Sequence, residues 1–169
     1  LAQLRQWGSP TTGHPEFEVA RGVENTSGPL GQGHTFAVGA AIAAKFLAAH
    51  TGNPTFAKET IYAYISDGGI QEEISQGAAR IAAVLGLDNL IMFYDSNDIQ
   101  LSTETGEVMN EDTAAKYRAL GWEVLEINGN DAAEIRKAIE AAKAVTGKPT
   151  LIIGKCIMGK GALKADGTS

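Results

Sequence analysis

The stretch "TIYAYISDGGIQEEIS", Thr60 to Ser75, decides how the chain is read. Its first half is rich in β-branched and aromatic residues, the composition of a strand, and closes at Ser66. Two glycines and an acidic, helix-like segment follow at once. Asp67 therefore stands between small residues where a strand hands over to a helix. The segment "GIQEEISQGAARIAAVLG" (69–86) has helical spacing, which predicts one helix with Ile70, Ile74, Ala78, Ile81 and Leu85 on its packed face.

The same alternation runs on to the end. "NLIMFYDS" (89–96) is a continuous apolar run, as expected of a parallel strand covered on both faces. A turn and loop (97–110) lead to a helix around Asp112 to Leu120, closed by Gly121. "WEVLEIN" (122–128) is a third strand and "DAAEIRKAIEAAKAV" (131–145) a helix capped by Asp131 or Asn130. "TLIIGKC" (150–156) is the fourth strand. Strands alternating with helices imply parallel pairing through right-handed crossovers, hence an α/β fold with a doubly wound parallel sheet flanked by helices.

Upstream, Leu1 to Gly8 reads as a short helix end, and Ser9 to Gly33 carries too many glycines and prolines for regular structure. Loops of that length are usually functional or disordered. Gln32 to His50 reads as a helix apolar nearly all round, suited to a central core or to a subunit interface. Its richest window, "FAVGAAIAAKFLAA" (36–49), contains Lys45 and is short of the roughly 20 apolar residues that span a bilayer.

At 169 residues one domain is expected, and the composition is that of an ordinary globular protein. A formal net charge of -6 argues against nucleic-acid or anionic-membrane partners, and Lys155 to Lys164 is too sparse a basic stretch to reverse that. The single cysteine, Cys156, leaves no internal disulfide and suits a reducing compartment. The start at Leu1 and the stop at "KADGTS" suggest a piece of a longer protein, one domain incomplete at both ends.

In open α/β sheets ligands bind beyond the carboxyl ends of the strands. Ser66-Asp67-Gly68-Gly69, Asp95-Ser96-Asn97-Asp98 and Lys155-Cys156-Ile157-Met158-Gly159 should meet there. The first places a carboxylate and two glycines at a helix N-terminus, where unpaired N–H groups favour an anion such as phosphate. A carboxylate at an anion site makes sense if a cation bridges the two. Mg²⁺ takes about six oxygens, from one or two side chains, waters and phosphate. Asp67 and the amide oxygen of Asn97, one strand–helix–strand unit apart, form the obvious pair. Taken singly, Asp67 reads first as an N-cap, Asn97-Asp98 as turn chemistry, and Glu72 and Glu73 as complements to the helix dipole.

Asp67-Gly68, some thirty residues, then Asn97 resembles the thiamine-diphosphate motif. "GHPE" (13–16), "GPLGQG" (28–33), "NLIMFYDSNDIQLS" (89–102) and "KCIMGKGA" (155–162) are similar to transketolase segments in order and spacing. The resemblance covers essentially the whole chain. It implies the diphosphate-binding domain of a homodimeric, cytoplasmic enzyme of the pentose phosphate pathway. That enzyme moves a two-carbon ketol unit between sugar phosphates with thiamine diphosphate and Mg²⁺ (Ca²⁺ or Mn²⁺ as substitutes).

By resemblance, Asp67, Asn97 and the backbone carbonyl of Ile99 hold the metal. Gly28, Leu30 and Gly68 contact the cofactor through backbone, and Leu101 and Met158 offer apolar contacts to the thiazolium ring. His14 matches the substrate-contacting histidine, a role an imidazole suits near neutral pH. Ser66 replaces the first glycine of the motif, and His34 stands where an apolar residue is usual. Glu72 matches a glutamate linked to communication between active sites, but its usual acidic partner is Gly77 here; Glu73 stands where glycine is common. The family's pyrimidine-binding domain, supplied by a partner subunit, is absent from this stretch. The chain alone is therefore expected to be inactive.

Three rival readings share some of these features. Dihydroxyacetone synthase or deoxyxylulose-phosphate synthase would share the metal motif, though "GHPE" with "GPLGQG" disfavours the latter. A phosphoacceptor receiver domain would also use a strand-end Asp, Mg²⁺ and a strand-end Lys such as Lys155. It needs a further acidic pair that no segment before Asp67 suitably provides. A non-catalytic half of a split enzyme is the third.

Overall fold

The β-branched and aromatic runs do become strands, and every pair among the four long ones is parallel. The computed structural model describes residues 2–14, 16–101 and 103–162. Leu1, Pro15 of the GHPE stretch, Ser102 and the closing segment 163–169, with Lys164, lie outside the described residues. Along the chain, turns and a 3-10 turn at Val19–Arg21 precede α1 (Gln32–Thr51) and the one-turn α2 (Pro54–Ala57). Then come β1 (Ile61–Ser66), α3 (Asp67–Gln71), α4 (Glu73–Val84) and β2 (Leu90–Ser96). A miniature hairpin of β3 (Ile99–Gln100) and β4 (Thr103–Glu104) leads through a 3-10 turn at Thr105–Glu107 to α5 (Thr113–Leu120). The chain continues as β5 (Glu123–Asn128), α6 (Ala132–Lys143) and β6 (Thr150–Lys155).

The sheet order is β1-β2-β6-β5. A right-handed crossover puts its helix on a face fixed by the direction in which the chain advances across the sheet. The steps from β1 to β2 and from β2 to β5 advance one way, so α4 and α5 share a face with α1. The step from β5 to β6 returns, so α6 covers the other. The cores follow suit. Ala41, Ala79, Met92, Tyr117 and Leu151 pack in the larger one, and Ile91 and Ile152 meet Ala138 and Ala142 of α6 in the smaller. Most of β2 is buried, as its continuous apolar run requires.

Three local expectations are corrected. Residues 2–8 form turns rather than a helix end. The single helix expected over 69–86 is broken at Glu72, whose backbone is extended (φ -60°, ψ 136°). Its packed face is also shifted: Ile70 and Ala78 are buried as expected, but Ile74, Ile81 and Leu85 are about half exposed, and Ser75, Gln76, Ala79 and Ala82 are buried instead. Small residues win that face because α4 lies close along α1, whose own buried side is Ala37, Val38, Ala41 and Ala44. The opposite side of α1 stays bare, with Phe36, Ile42, Phe46 and Leu47 exposed. At α6 the cap is Asp131, which accepts from the N–H groups of Ala133 and Glu134, while Asn130 accepts from Ile157 N–H at 2.8 Å.

His34, in the first turn of α1, is 2% exposed and neither ring nitrogen has a partner. It lines a cavity of about 140 Å³ with Ser27, Leu30, Tyr64 and Ser66. Burial lowers its pKa to about 4, so the folded protein keeps it neutral where an unfolded chain, near 6.5, would protonate it. That contribution to stability is whole above the unfolded value and fades as pH falls towards the folded one. The slope is about 1.4 kcal/mol per pH unit inside the window. Replacing His34 with Leu should flatten the fall in urea midpoint between pH 6.5 and 4.5. An equal slope in both proteins would exclude the histidine as its source.

Candidate functional site

Parallel register sets the strand tips level. Ser66 lies opposite Asp95 across the β1–β2 ladder, so the residues that follow each strand emerge side by side. Asp67 is 1% exposed. Its Oδ1 accepts from the Tyr94 hydroxyl at 2.7 Å, and its Oδ2 accepts from the backbone N–H of Asn97 at 2.9 Å. The Asn97 side-chain oxygen in turn accepts from Ile99 N–H at 3.1 Å, which folds the loop back over the strand end. The three residues picked as metal ligands are thus consecutive links of one hydrogen-bonded chain.

Asp67 is not the helix cap. Ser66 takes that role, its hydroxyl accepting from Gly69 N–H at 3.2 Å, and this frees the carboxylate to turn toward β2. The serine that replaces the motif's glycine is therefore the capping residue. Because α3 is only five residues long, its dipole is little more than one turn. The anion site expected at a long helix N-terminus is reduced to the loop's own amides and whatever cation joins them.

A cleft of about 500 Å³ opens beside Asp67, lined among others by Leu30, Gly68, Ile99, Gln100 and Leu101, with Glu72 and Glu73 at its edge. Leu30 lies close over Gly68: a Cβ there would come within 3.3 Å of Leu30 Cδ1. Gln71 and Gln100 side chains hydrogen-bond across its floor. Leu101 is 99% exposed and holds a left-handed backbone (φ 46°), as does Asp98 (φ 66°). Asp98 pairs with Lys155 in an exposed ion pair, and both line a second cleft of about 510 Å³ with Asp67, Tyr94 and Thr105.

The long loop is pinned to this rim. Gly31 caps α1 with φ 79°, and a Cβ on it would lie 2.8 Å from both Ile74 Cγ2 and Ser75 Oγ. Only a glycine satisfies both the backbone and the space. The break at Glu72 brings the start of α4 under that glycine, and the buried Ser75 hydroxyl donates to Gly69 carbonyl at 2.7 Å. His14 packs near Gly28, whose Cβ would lie 3.9 Å from the imidazole, and it is exposed. Met158, 61% exposed in the turn after β6, does not line the cleft. Cys156 is a poor nucleophile, since burial and then Asp95 raise its thiol to about 11.

The donor set suits a hard cation. Asp67 offers carboxylate oxygens, Asn97 an amide oxygen and Ile99 a carbonyl, all oxygen ligands of the kind Mg²⁺ and Ca²⁺ take. A buried carboxylate costs on the order of several kcal/mol unless compensated, and among the described residues no cationic side chain pairs with Asp67. A bound cation would complete that compensation. No group of three or more His, Cys, Asp or Glu side chains that could hold a metal ion gathers among the described residues. Sequence reasoning missed Tyr94 and the Ser66 cap. Nothing in a strand's apolar pattern marks which tyrosine hydroxyl reaches a neighbouring strand end.

Comparison with known proteins agrees with this fold. The family described as "Transketolase, thiamine diphosphate binding domain" matches residues 1–169. A transketolase of Streptococcus pyogenes is 48% identical over 172 aligned positions, covering 100% of this chain and 24% of the relative. One from Geobacillus stearothermophilus is 45% identical, covering 100% and 26%. Among solved structures, the transketolase of Campylobacter jejuni superposes with TM-score 0.81 at 44% identity over 90% of this chain and 24% of that one. The transketolase of Leishmania mexicana gives TM-score 0.83 at 42%, covering 90% and 23%. The chain spans about a quarter of the length of these relatives.

Two glycines separate what the site needs from what the helix merely tolerates. Gly31→Ala should lower stability by about 1–3 kcal/mol, the size of a left-handed strain. Gly39→Ala, inside α1 with nothing within 4 Å of a Cβ, should raise it by about 0.4–1 kcal/mol. Urea unfolding of the two variants reads the contrast directly.

Proposed function

We propose that this chain, which belongs to the family of transketolase thiamine diphosphate-binding domains, grips the diphosphate of thiamine diphosphate through one Mg²⁺ at the tips of β1 and β2. The observation that carries the reading is the buried carboxylate of Asp67, the first residue of α3, whose oxygens are held by Tyr94 and by the Asn97 backbone rather than by the helix. Asp67, Asn97 and the Ile99 carbonyl would hold the cation, and Ca²⁺ or Mn²⁺ would suit the same oxygens. Gly68, with Gly28 and Leu30, would bring backbone close to the cofactor. Leu101 would shield its ring, whereas Met158, expected beside it, stands outside the cleft.

Bound thiamine diphosphate supplies a carbon nucleophile and a sink for the electron pair left by C–C cleavage. The chain's own residues bind and orient. Asp67 fixes the cation, the loop 97–101 closes one wall, and the 28–31 loop closes the other. His14 would donate or accept a hydrogen bond at the sugar oxygens. The reaction we infer is transfer of a two-carbon ketol unit from a ketose phosphate to an aldose phosphate, in the pentose phosphate pathway. The pyrimidine-binding domain, which this stretch lacks, would come from a partner subunit across a homodimer interface, and the bare apolar side of α1 is a surface suited to such a contact. No helix among the described residues is long and apolar enough to cross a membrane. The lone cysteine accords with a cytoplasmic setting.

Calorimetric titration of the intact protein with thiamine diphosphate tests the assignment. Binding should need Mg²⁺, and Asp67→Ala should weaken it at least a hundredfold. Equal affinity with and without the cation would reject the reading.

A further inference from the structure

Two tyrosines of the larger core bury their hydroxyls, and only one of them has a hydrogen-bond partner. Tyr117 is fully buried and its hydroxyl has none. Tyr94, on β2 and 4% exposed, donates to Asp67 Oδ1 at 2.7 Å. The side chain belongs to the larger core and reaches the cleft lining with Asp67, so packing within β2 positions the hydroxyl. Asn97 N–H holds the other carboxylate oxygen at 2.9 Å. Two donors, one from within β2 and one from its exit, thus fix the plane of the carboxylate.

An ionised carboxylate has about four lone-pair sites on its two oxygens. With one site on each oxygen taken, each retains one for a cation. From this geometry we propose that Tyr94 is a positioning residue for the divalent cation: its hydroxyl locks the Asp67 carboxylate in the orientation that presents the remaining lone pairs to the metal. The proposal rests on the Mg²⁺ reading of the site. A phenol hydroxyl is protonated at neutral pH, so Tyr94 serves the carboxylate as a donor. Partners of this kind, one step removed from the metal, typically govern 10–100-fold in metal affinity.

Mn²⁺ binding, followed by its electron paramagnetic resonance signal in the presence of thiamine diphosphate, tests this on the intact protein carrying these residues. Tyr94→Phe should raise the Mn²⁺ dissociation constant about 10–100-fold. Tyr117→Phe should leave it unchanged. Asp67→Ala should abolish saturable binding. Urea midpoints measured without metal separate a structural loss from a lost ligand geometry, because a merely structural hydroxyl would lower the midpoint and leave the dissociation constant alone. Tyr94→Phe binding Mn²⁺ as tightly as the unsubstituted protein overturns the positioning role while the metal reading stands. If Asp67→Ala binds as well as the unsubstituted protein, or neither binds, the metal reading fails and the positioning role falls with it.

Discussion

The carboxylate of Asp67 is nearly removed from water at the end of a parallel sheet, and the surrounding structure is arranged around that burden. An ion in such a place is tolerated only where hydrogen bonds and opposite charge replace its hydration. One donor comes from β2 and one from its exit, because the ladder aligns Ser66 with Asp95 and so delivers Asn97 to the same height. Moving β1 by one residue would turn the carboxylate to the other face and separate it from both partners. The pairing register, more than any single side chain, is therefore what assembles the site.

The approach of the long loop is the second constraint. Gly31 presses on the first turn of α4, and the chain accommodates it by abandoning helix geometry at Glu72. The kink is the cost of bringing a loop, a strand tip and a helix start to one rim. It also explains why small residues face α1 along α4 while isoleucines point outward. Two helices that close together leave room for Ala79 and Ala82 but none for Ile81.

Much of this was legible in the sequence. The β-branched runs announced four strands, the alternation announced their parallel pairing, and the spacing from Asp67 to Asn97 announced that they would meet. What stayed hidden depends on distant neighbours. Helical periodicity alone favoured Ile74, Ile81 and Leu85 as the buried face, because the pattern does not say how close the partner helix lies. Asp67 read by itself as a cap, since a cap needs only local geometry and Asp is a common choice; the competing serine one residue earlier had the better position. Tyr94 gave no sign at all, because its role exists only once β1 and β2 are paired.

Leu101 is an apolar side chain left wholly in water on a backbone most residues avoid. Covering a leucine is worth about 1.5–3 kcal/mol. A ligand seated against this wall of the cleft would gain part of that increment by covering the side chain. About ten- to hundredfold in affinity would then reside in a residue that makes no polar contact.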